Sequence, residues 1–328
     1  MKTLSADWLS SRPAQAVAGL LVDAGYTALF VGGCVRNTVL NEPVADLDLA
    51  TNARPERVLD LAKAAQIKAI PTGIDHGTVT LVVDHVPVEV TTFRRDVETD
   101  GRRAVVAFSD TVSEDAIRRD FTMNAIYCDR DGHIIDPLDG LPDLRARTVR
   151  FVGDATARVR EDYLRILRFF RFHAWYGADG IDPVGLDACA RNATGLTKVS
   201  AERIGAEMLK LLAAPDPAPA VATMAQSGVL HVVLPGADPA PLTRAVGLAD
   251  MLADAPDALM RLAALGGHTV ADRLRLSRAD ARRLDLLGEE GAGAATPGAL
   301  GHNLGRTDGR AALILRAAWP EQAISPDQ

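Results

Sequence analysis

The sequence predicts an α+β fold, and three observations carry that expectation. Short β-rich runs alternate with helical runs from about residue 15 to 151, β-branched runs thin out beyond Phe151, and helical spacing of apolar residues persists from there on. Residues 13–24 carry apolar positions at helical spacing, and the β-rich run 27–31 stops at Gly32-Gly33. A short helix over 35–40 follows, then 45–50, whose period-two alternation reads as a strand. Pro55 suits the first turn of a helix reaching about residue 65, because its missing N–H costs nothing there. Residues 78–83 and 86–92 flank Asp84-His85, the pattern of a tight hairpin. The polar stretch 94–103, with charges of both signs and Gly101, predicts a mobile loop. Further on, helices are expected over 158–175 and 201–213. The prolines at 215, 217 and 219, and again at 235, 239 and 241, mark seams between helical subdomains.

The chain has 328 residues, 48% hydrophobic and 24% charged, which is globular material for two or three domains. Its net charge of −7 repels a polyanion, so any contact with nucleic acid must be local. No apolar run reaches the ~18 to 20 residues needed to span a bilayer, so no membrane is expected as a partner. The start of the chain lacks a secretion signal, and three widely spaced cysteines fit neither a disulfide framework nor a zinc site. Both observations point to a reducing cytoplasm.

Two local patterns carry chemistry. In Asp46-Leu47-Asp48 the strand-like spacing projects both carboxylates from one face, close enough to share a cation. Hard oxygen ligands of this kind suit Mg²⁺, with the rest of its shell taken from water and substrate phosphates. The plain alternative is a solvated strand end. About ten residues earlier, Gly32-Gly33-Cys34-Val35-Arg36 follows a strand and opens a helix, so a phosphate could approach bare backbone amides with Arg36 one turn away. Gly-Gly is equally the mark of a tight turn. Glu89 on the second hairpin strand is either a third carboxylate for the same metal or a surface residue.

These residues also carry a resemblance. Leu29 to Arg36, Asp46-Leu47-Asp48-Leu49-Ala50-Thr51, Pro71 to Val79 and Glu89 to Arg94 come in the order of a known family. Arg118-Arg119-Asp120-Phe121-Thr122-Met123-Asn124-Ala125, Glu161-Asp162-Tyr163-Leu164-Arg165 and Ser200 to Ile204 continue it. Over roughly residues 25–212 the chain resembles the bacterial tRNA nucleotidyltransferase and poly(A) polymerase family, the class II CCA-adding enzymes. The resemblance implies a polymerase-beta-like nucleotidyltransferase head with a mixed sheet, followed by an all-α neck, body and tail. It implies domains at 1–150 (catalytic head), 151–213 (neck, nucleotide-base recognition) and 214–328 (body and tail, RNA-binding). It also implies Mg²⁺ as cofactor, CTP and ATP as substrates and the 3′ end of tRNA as partner. Asp46 and Asp48 match the family's metal carboxylates, and Gly33, Arg36 and Arg119, with Gly32 beside them, match nucleotide-binding positions. Asp120 and Asn124 fall in the same motif and are expected near the sugar or triphosphate. One departure is Asn37, where the family usually has Asp.

On the helix expected from residue 158, Asp162 and Arg165 are three apart and so share a face, which Arg168 extends. Cytosine and adenine each present an amino donor beside a ring-nitrogen acceptor, which an Asp–Arg pair satisfies, while uracil and guanine present the reverse. In the family the positions matching Asp162, Arg165, Arg168 and Arg171 contact the incoming nucleotide. The bland reading is an intrahelical salt bridge on a wet face. Between residues 141 and 171 eight arginines face four acids, a basic stretch in an acidic chain. The aromatics at 169, 170, 172, 175 and 176 are read as core. The expected reaction is CCA addition to tRNA from CTP and ATP with release of pyrophosphate. Alternatives are a poly(A) polymerase, a CC-only or A-only enzyme, a non-catalytic RNA-binding protein, or transfer to a small molecule.

Overall fold

The computed structural model describes residues 3–100, 103–178 and 180–319. Within it the chain forms two compact units, Met1–Glu161 and Asp162–Gln328. The first runs α1 (Asp7–Ser10), α2 (Arg12–Asp23), β1 (Ala28–Val31), α3 (Gly33–Leu40), β2 (Leu47–Thr51), α4 (Pro55–Ala64), β3 (Lys68–Gly73), β4 (Thr78–Val83) and β5 (Val86–Thr92). It continues through β6 (Arg94–Asp100), β7 (Arg103–Phe108), α5 (Val112–Ile117), β8 (Tyr127–Cys128), β9 (Ile134–Ile135), α6 (Gly140–Arg145) and α7 (Ala155–Glu161). Seven strands make one sheet in the order β3-β4-β5-β2-β1-β8-β9. Only β2 and β5 run parallel among these pairs, so the sheet is mixed as expected.

Strand β1, an inner strand between β2 and β8, is buried along its whole length, which explains its uninterrupted apolar run Ala28-Leu29-Phe30-Val31. Its neighbour β2 is buried except at Asp48. Asp84 and His85 both take positive φ (51° and 65°), the two-residue turn expected between β4 and β5.

Three expectations need correction. The stretch read as a mobile loop is a hairpin in which β6 pairs antiparallel with β7, and Gly101 lies outside the described residues. Its base is pinned by Ser109 N donating to Phe93 O at 2.7 Å and by Arg94 Nη1 donating to His76 O at 2.7 Å. Second, β2 begins at Leu47, so Asp46 lies just before the strand. Third, the helix expected over 158–175 is two helices, α7 and then α8 (Leu164–Tyr176), with Asp162 in the break.

In the second unit α8 is followed by α9 (Pro183–Arg191) and α10 (Ala201–Leu212). The segments α11 to α17 follow among the described residues, of which α14 is Ala258–Leu265 and α17 is Pro297–Ala318, the last broken into two helices at Gly305 (φ 75°). No strand occurs in this unit among the described residues. Phe169, Phe170 and Phe172 are core residues as expected, whereas Trp175 is 38% exposed with its indole N–H on Lys210 O. No described helix is long and apolar enough to cross a membrane.

Candidate active site

The site is built where β1 ends. Gly32 has φ 73° and ψ −126°, a conformation that side chains on Cβ oppose, and it starts α3 by accepting from Arg36 N at 3.0 Å. A Cβ placed there would sit 3.7 Å from Asp48 Oδ2 and 3.9 Å from Arg119 Nη1, so the bare turn lies between a carboxylate and a guanidinium. Those distances are ordinary contacts, which leaves backbone strain as the cost of a side chain. Gly32→Ala should therefore lower stability by about 1 to 3 kcal/mol in urea unfolding.

Asp48 faces this turn, and Glu89 and Asp46 lie close enough to act on its charge. Asp48 is in register with Glu89 on the parallel neighbour β5, and laterally paired residues project to the same face of a sheet. Burial pushes the Asp48 carboxyl up to about 6, with the charges of Glu89 and Asp46 adding to it and those of Arg119 and Arg36 opposing. An excess of anionic oxygen at one place is the environment a hard divalent cation relieves, so the donor set fits Mg²⁺ in kind. The trio is not drawn tight, however. Among the described residues the only three potential ligands whose atoms all lie within 4.8 Å are Asp129, Asp131 and His133. That cluster has a structural explanation: Asp129 Oδ1 accepts from the amides of Asp131 and His133 at 2.9 and 2.8 Å, closing the turn between β8 and β9.

The arginines are held from behind. Arg119 donates through Nε and Nη2 to Asp115 Oδ2 at 3.3 and 3.0 Å, and its guanidinium lies 5.2 Å from the centre of the Tyr127 ring. Tyr127 donates to the same oxygen at 2.8 Å and Arg118 Nε to Oδ1 at 3.1 Å. Burial alone would raise the Asp115 carboxyl, but Arg119 and Arg118 outweigh it and hold it below the usual range. Asp115 and Tyr127 are positioning residues that sequence reasoning missed. The legible signal was an acid three and four residues before two arginines, hence on their side of a helix.

Arg36 is buried and donates from Nη1 to Asn124 Oδ1 at 2.6 Å, while Asn124 Nδ2 donates to Asp120 Oδ1 at 2.9 Å. Gly32, Gly33, Arg36, Arg119, Asp120 and Asn124 thus converge, although two separate segments supply them. Asp120 and Asn124 are themselves buried and brace Arg36. Beneath the turn, Cys34 is fully packed and burial pushes its thiol up to about 11; burial also pushes Cys128 up to about 12 and raises Cys189.

In the second unit Asp162 accepts from Leu164 N at 3.1 Å and from Arg203 Nη2 at 2.7 Å. Arg203 is a partner the sequence reading did not assign. Arg171 Nε donates to the buried Glu207 at 2.6 Å, with Arg168 3.9 Å from the same carboxylate, and both guanidinium groups lie over the Phe172 ring. Part of the basic stretch is therefore neutralised within its own unit. In the first unit Arg150 pairs with Asp143 and Arg158 with Glu161.

Residues 28–150 match the family model described as the poly A polymerase head domain, and residues 180–240 match a probable RNA and SrmB-binding site of polymerase A. The fold superimposes on the crystal structure of Bacillus stearothermophilus CCA-adding enzyme in complex with CTP, with a TM-score of 0.73 and 30% identity over 93% of this chain and 77% of that one. The chain belongs to the tRNA nucleotidyltransferase and poly(A) polymerase family. Among curated members of the family, the CCA-adding enzyme of Leuconostoc citreum is 44% identical over 215 residues, 65% of this chain and 51% of that protein. The mitochondrial CCA tRNA nucleotidyltransferase 1 of Homo sapiens is 41% identical over 199 residues, 59% and 45% of the two chains. The chain thus spans about half the length of the curated relatives it matches. Every head residue named above from Gly32 to Tyr127 lies inside the polymerase-head match, whereas Asp162, Arg165, Arg168 and Arg171 fall between the two family models.

Proposed function

We propose that this chain is a template-independent RNA nucleotidyltransferase that adds C, C and A to the 3′ end of tRNA from CTP and ATP, in the cytoplasm. The observation that carries the reading is Asp48, placed between Asp46 and Glu89 and facing the Gly32 turn with Arg119 beside it. Similarity to proteins named CCA-adding enzymes supports it. Asp46 and Asp48, with Glu89 beside them, would hold Mg²⁺. Bound there, the ion supplies charge neutralisation between the attacking hydroxyl and the triphosphate. The chain's own groups do the rest. The bare turn lets phosphate oxygens reach backbone N–H groups at the start of α3, and Arg36 and Arg119 balance triphosphate charge. Because Asp115, Tyr127 and Asn124 fix both guanidinium groups beforehand, little ordering entropy is lost when substrate arrives. The RNA hydroxyl forms its bond to the α-phosphorus as the bond to the bridging oxygen breaks, and pyrophosphate leaves.

For domain roles we take residues 1–150 as the catalytic head, 151–213 as the neck and 214–328 as the RNA-binding body and tail. Base choice is assigned to Asp162 and Arg165, with Arg168 and Arg171 in support. The carboxylate accepts and the guanidinium donates, a pair that C and A satisfy and U and G do not. The Arg203 contact would orient Asp162 for that task.

Incubating the purified chain with tRNA ending at the discriminator base tests this. CTP alone should give two added residues, CTP with ATP three, and UTP and GTP none. Long runs of A would reassign the chain as a poly(A) polymerase, and no incorporation under any mixture would leave a binding protein.

A further inference from the structure

We infer that Asn37 is the positioning residue for Asp46, tying the segment that delivers this carboxylate to Arg36 through its side-chain amide. The inference rests on the metal reading of Asp46 given above. It starts from the end of α3, where Asn41 turns into the left-handed region (φ 57°) and the chain doubles back along the helix. Glu42 N donates to Asn37 O at 2.8 Å, and Asn37 Nδ2 donates to Pro43 O at 2.7 Å. Two successive residues of the returning segment are thus bonded to this one asparagine, and Asp46 stands three residues further on. A further side-chain tie of that segment is the ion pair Glu42–Arg147 at 3.4 Å, whose two side chains are 41% and 36% exposed. A pair so open to water contributes little.

The opposite end of the amide fixes its direction. Asn37 Oδ1 accepts from Arg36 Nε at 3.1 Å, and since a guanidinium can only donate and a carbonyl can only accept, one amide orientation satisfies both neighbours. Arg36 in turn reaches Asn124 and, through it, Asp120. A single side chain therefore joins the phosphate side of the site to its metal side. A carboxylate at this position would keep the bond from Arg36 but offer no hydrogen to Pro43 O. Two acceptors would then face each other at 2.7 Å, and the segment would have to move. What looks in the sequence like a lost charge is, in the structure, a gained donor.

The test measures Mn²⁺ binding to the whole chain without nucleotide, by paramagnetic resonance of the free ion, together with hydrogen exchange of the backbone amides of residues 44–46. Wild type is compared with Asn37→Asp, Asn37→Ala and Asp46→Ala. Both Asn37 variants should weaken Mn²⁺ binding by about 10-fold, the low end for groups that orient metal ligands, and should speed exchange at 44–46. The added negative charge of Asn37→Asp would by itself favour the cation, so weaker binding there isolates the missing donor. If Asn37→Asp binds Mn²⁺ like wild type, or only the melting temperature moves, the inference is overturned. If Asp46→Ala binds Mn²⁺ as tightly as wild type, the metal reading itself fails. Should one Asn37 variant fail to fold, the other decides.

Discussion

Asp46→Ala should reduce nucleotide incorporation by at least about 10³-fold while leaving the fold intact, because several kcal/mol of transition-state stabilisation depend on the ion this carboxylate would hold. Asp46 is exposed and outside the ladder of β2, so its removal takes nothing from the core. Single-turnover primer extension with CTP reads the loss, and tRNA affinity measured alongside should be unchanged. Asp48→Asn should be as inactive but differ in stability. The Asp48 carboxyl is pushed up from 3.8 to about 6 in the folded chain, so ionising it works against the metal-free fold. Its favourable contribution is full below the unfolded value and is lost as pH rises through about 6. The melting temperature of wild-type chain in a chelator should therefore fall between pH 4 and 6 more steeply than that of Asp48→Asn. Equal slopes would show that burial, with Glu89 and Asp46 beside it, does not raise the Asp48 carboxyl in the folded chain. Full incorporation by Asp46→Ala would remove the basis for an acid-bound metal.

Arg261→Met should destabilise the second unit by about 3 to 5 kcal/mol, the cost of stripping three backbone carbonyls of a charged donor in a largely buried site. Arg261 is 1% exposed on α14 and donates to three carbonyls where α10 ends: Nη1 to Leu212 O at 2.8 Å and Ala214 O at 2.5 Å, Nη2 to Pro215 O at 2.9 Å. Those carbonyls have just left a helix, and a cation there also meets the negative end of the helix dipole. Methionine fills similar volume but leaves the buried Leu212 and Ala214 carbonyls, and the part-buried Pro215 carbonyl, without this donor. Arg261→Lys should recover only part of the loss, since an ammonium lacks the planar fork that spans the three oxygens. Urea unfolding followed by far-ultraviolet circular dichroism gives the numbers. A loss under about 1 kcal/mol would mean that water replaces the guanidinium at no cost.

The parts of the molecule that the sequence made legible are those where local chemistry and fold agree. The glycine turn, the hairpin at Asp84-His85 and the apolar run of β1 each follow from residues adjacent in the chain. What was missed depends on partners supplied from afar. Strand β3 contains Pro71 and Gly73, which read as breakers, and its register with β4 shifts between Ile70 and Gly73. The hairpin β6–β7 is charged along its first strand, so no apolar alternation announces it. The break at Asp162 is hidden because Arg165 N still reaches Asp162 O at 3.0 Å, keeping helical spacing across it. In the candidate site the acids and arginines were visible as types. Their supports were not: Tyr127 reaches Asp115 only because β8 pairs with β1, and Asn37 meets Pro43 only because the chain reverses at Asn41.

The three thiols, sealed in the interior and held protonated, leave the chain without a ready target for maleimide dyes. A cysteine installed at an exposed position, such as Val184, could then be labelled selectively in the otherwise native background, with no prior removal of Cys34, Cys128 or Cys189.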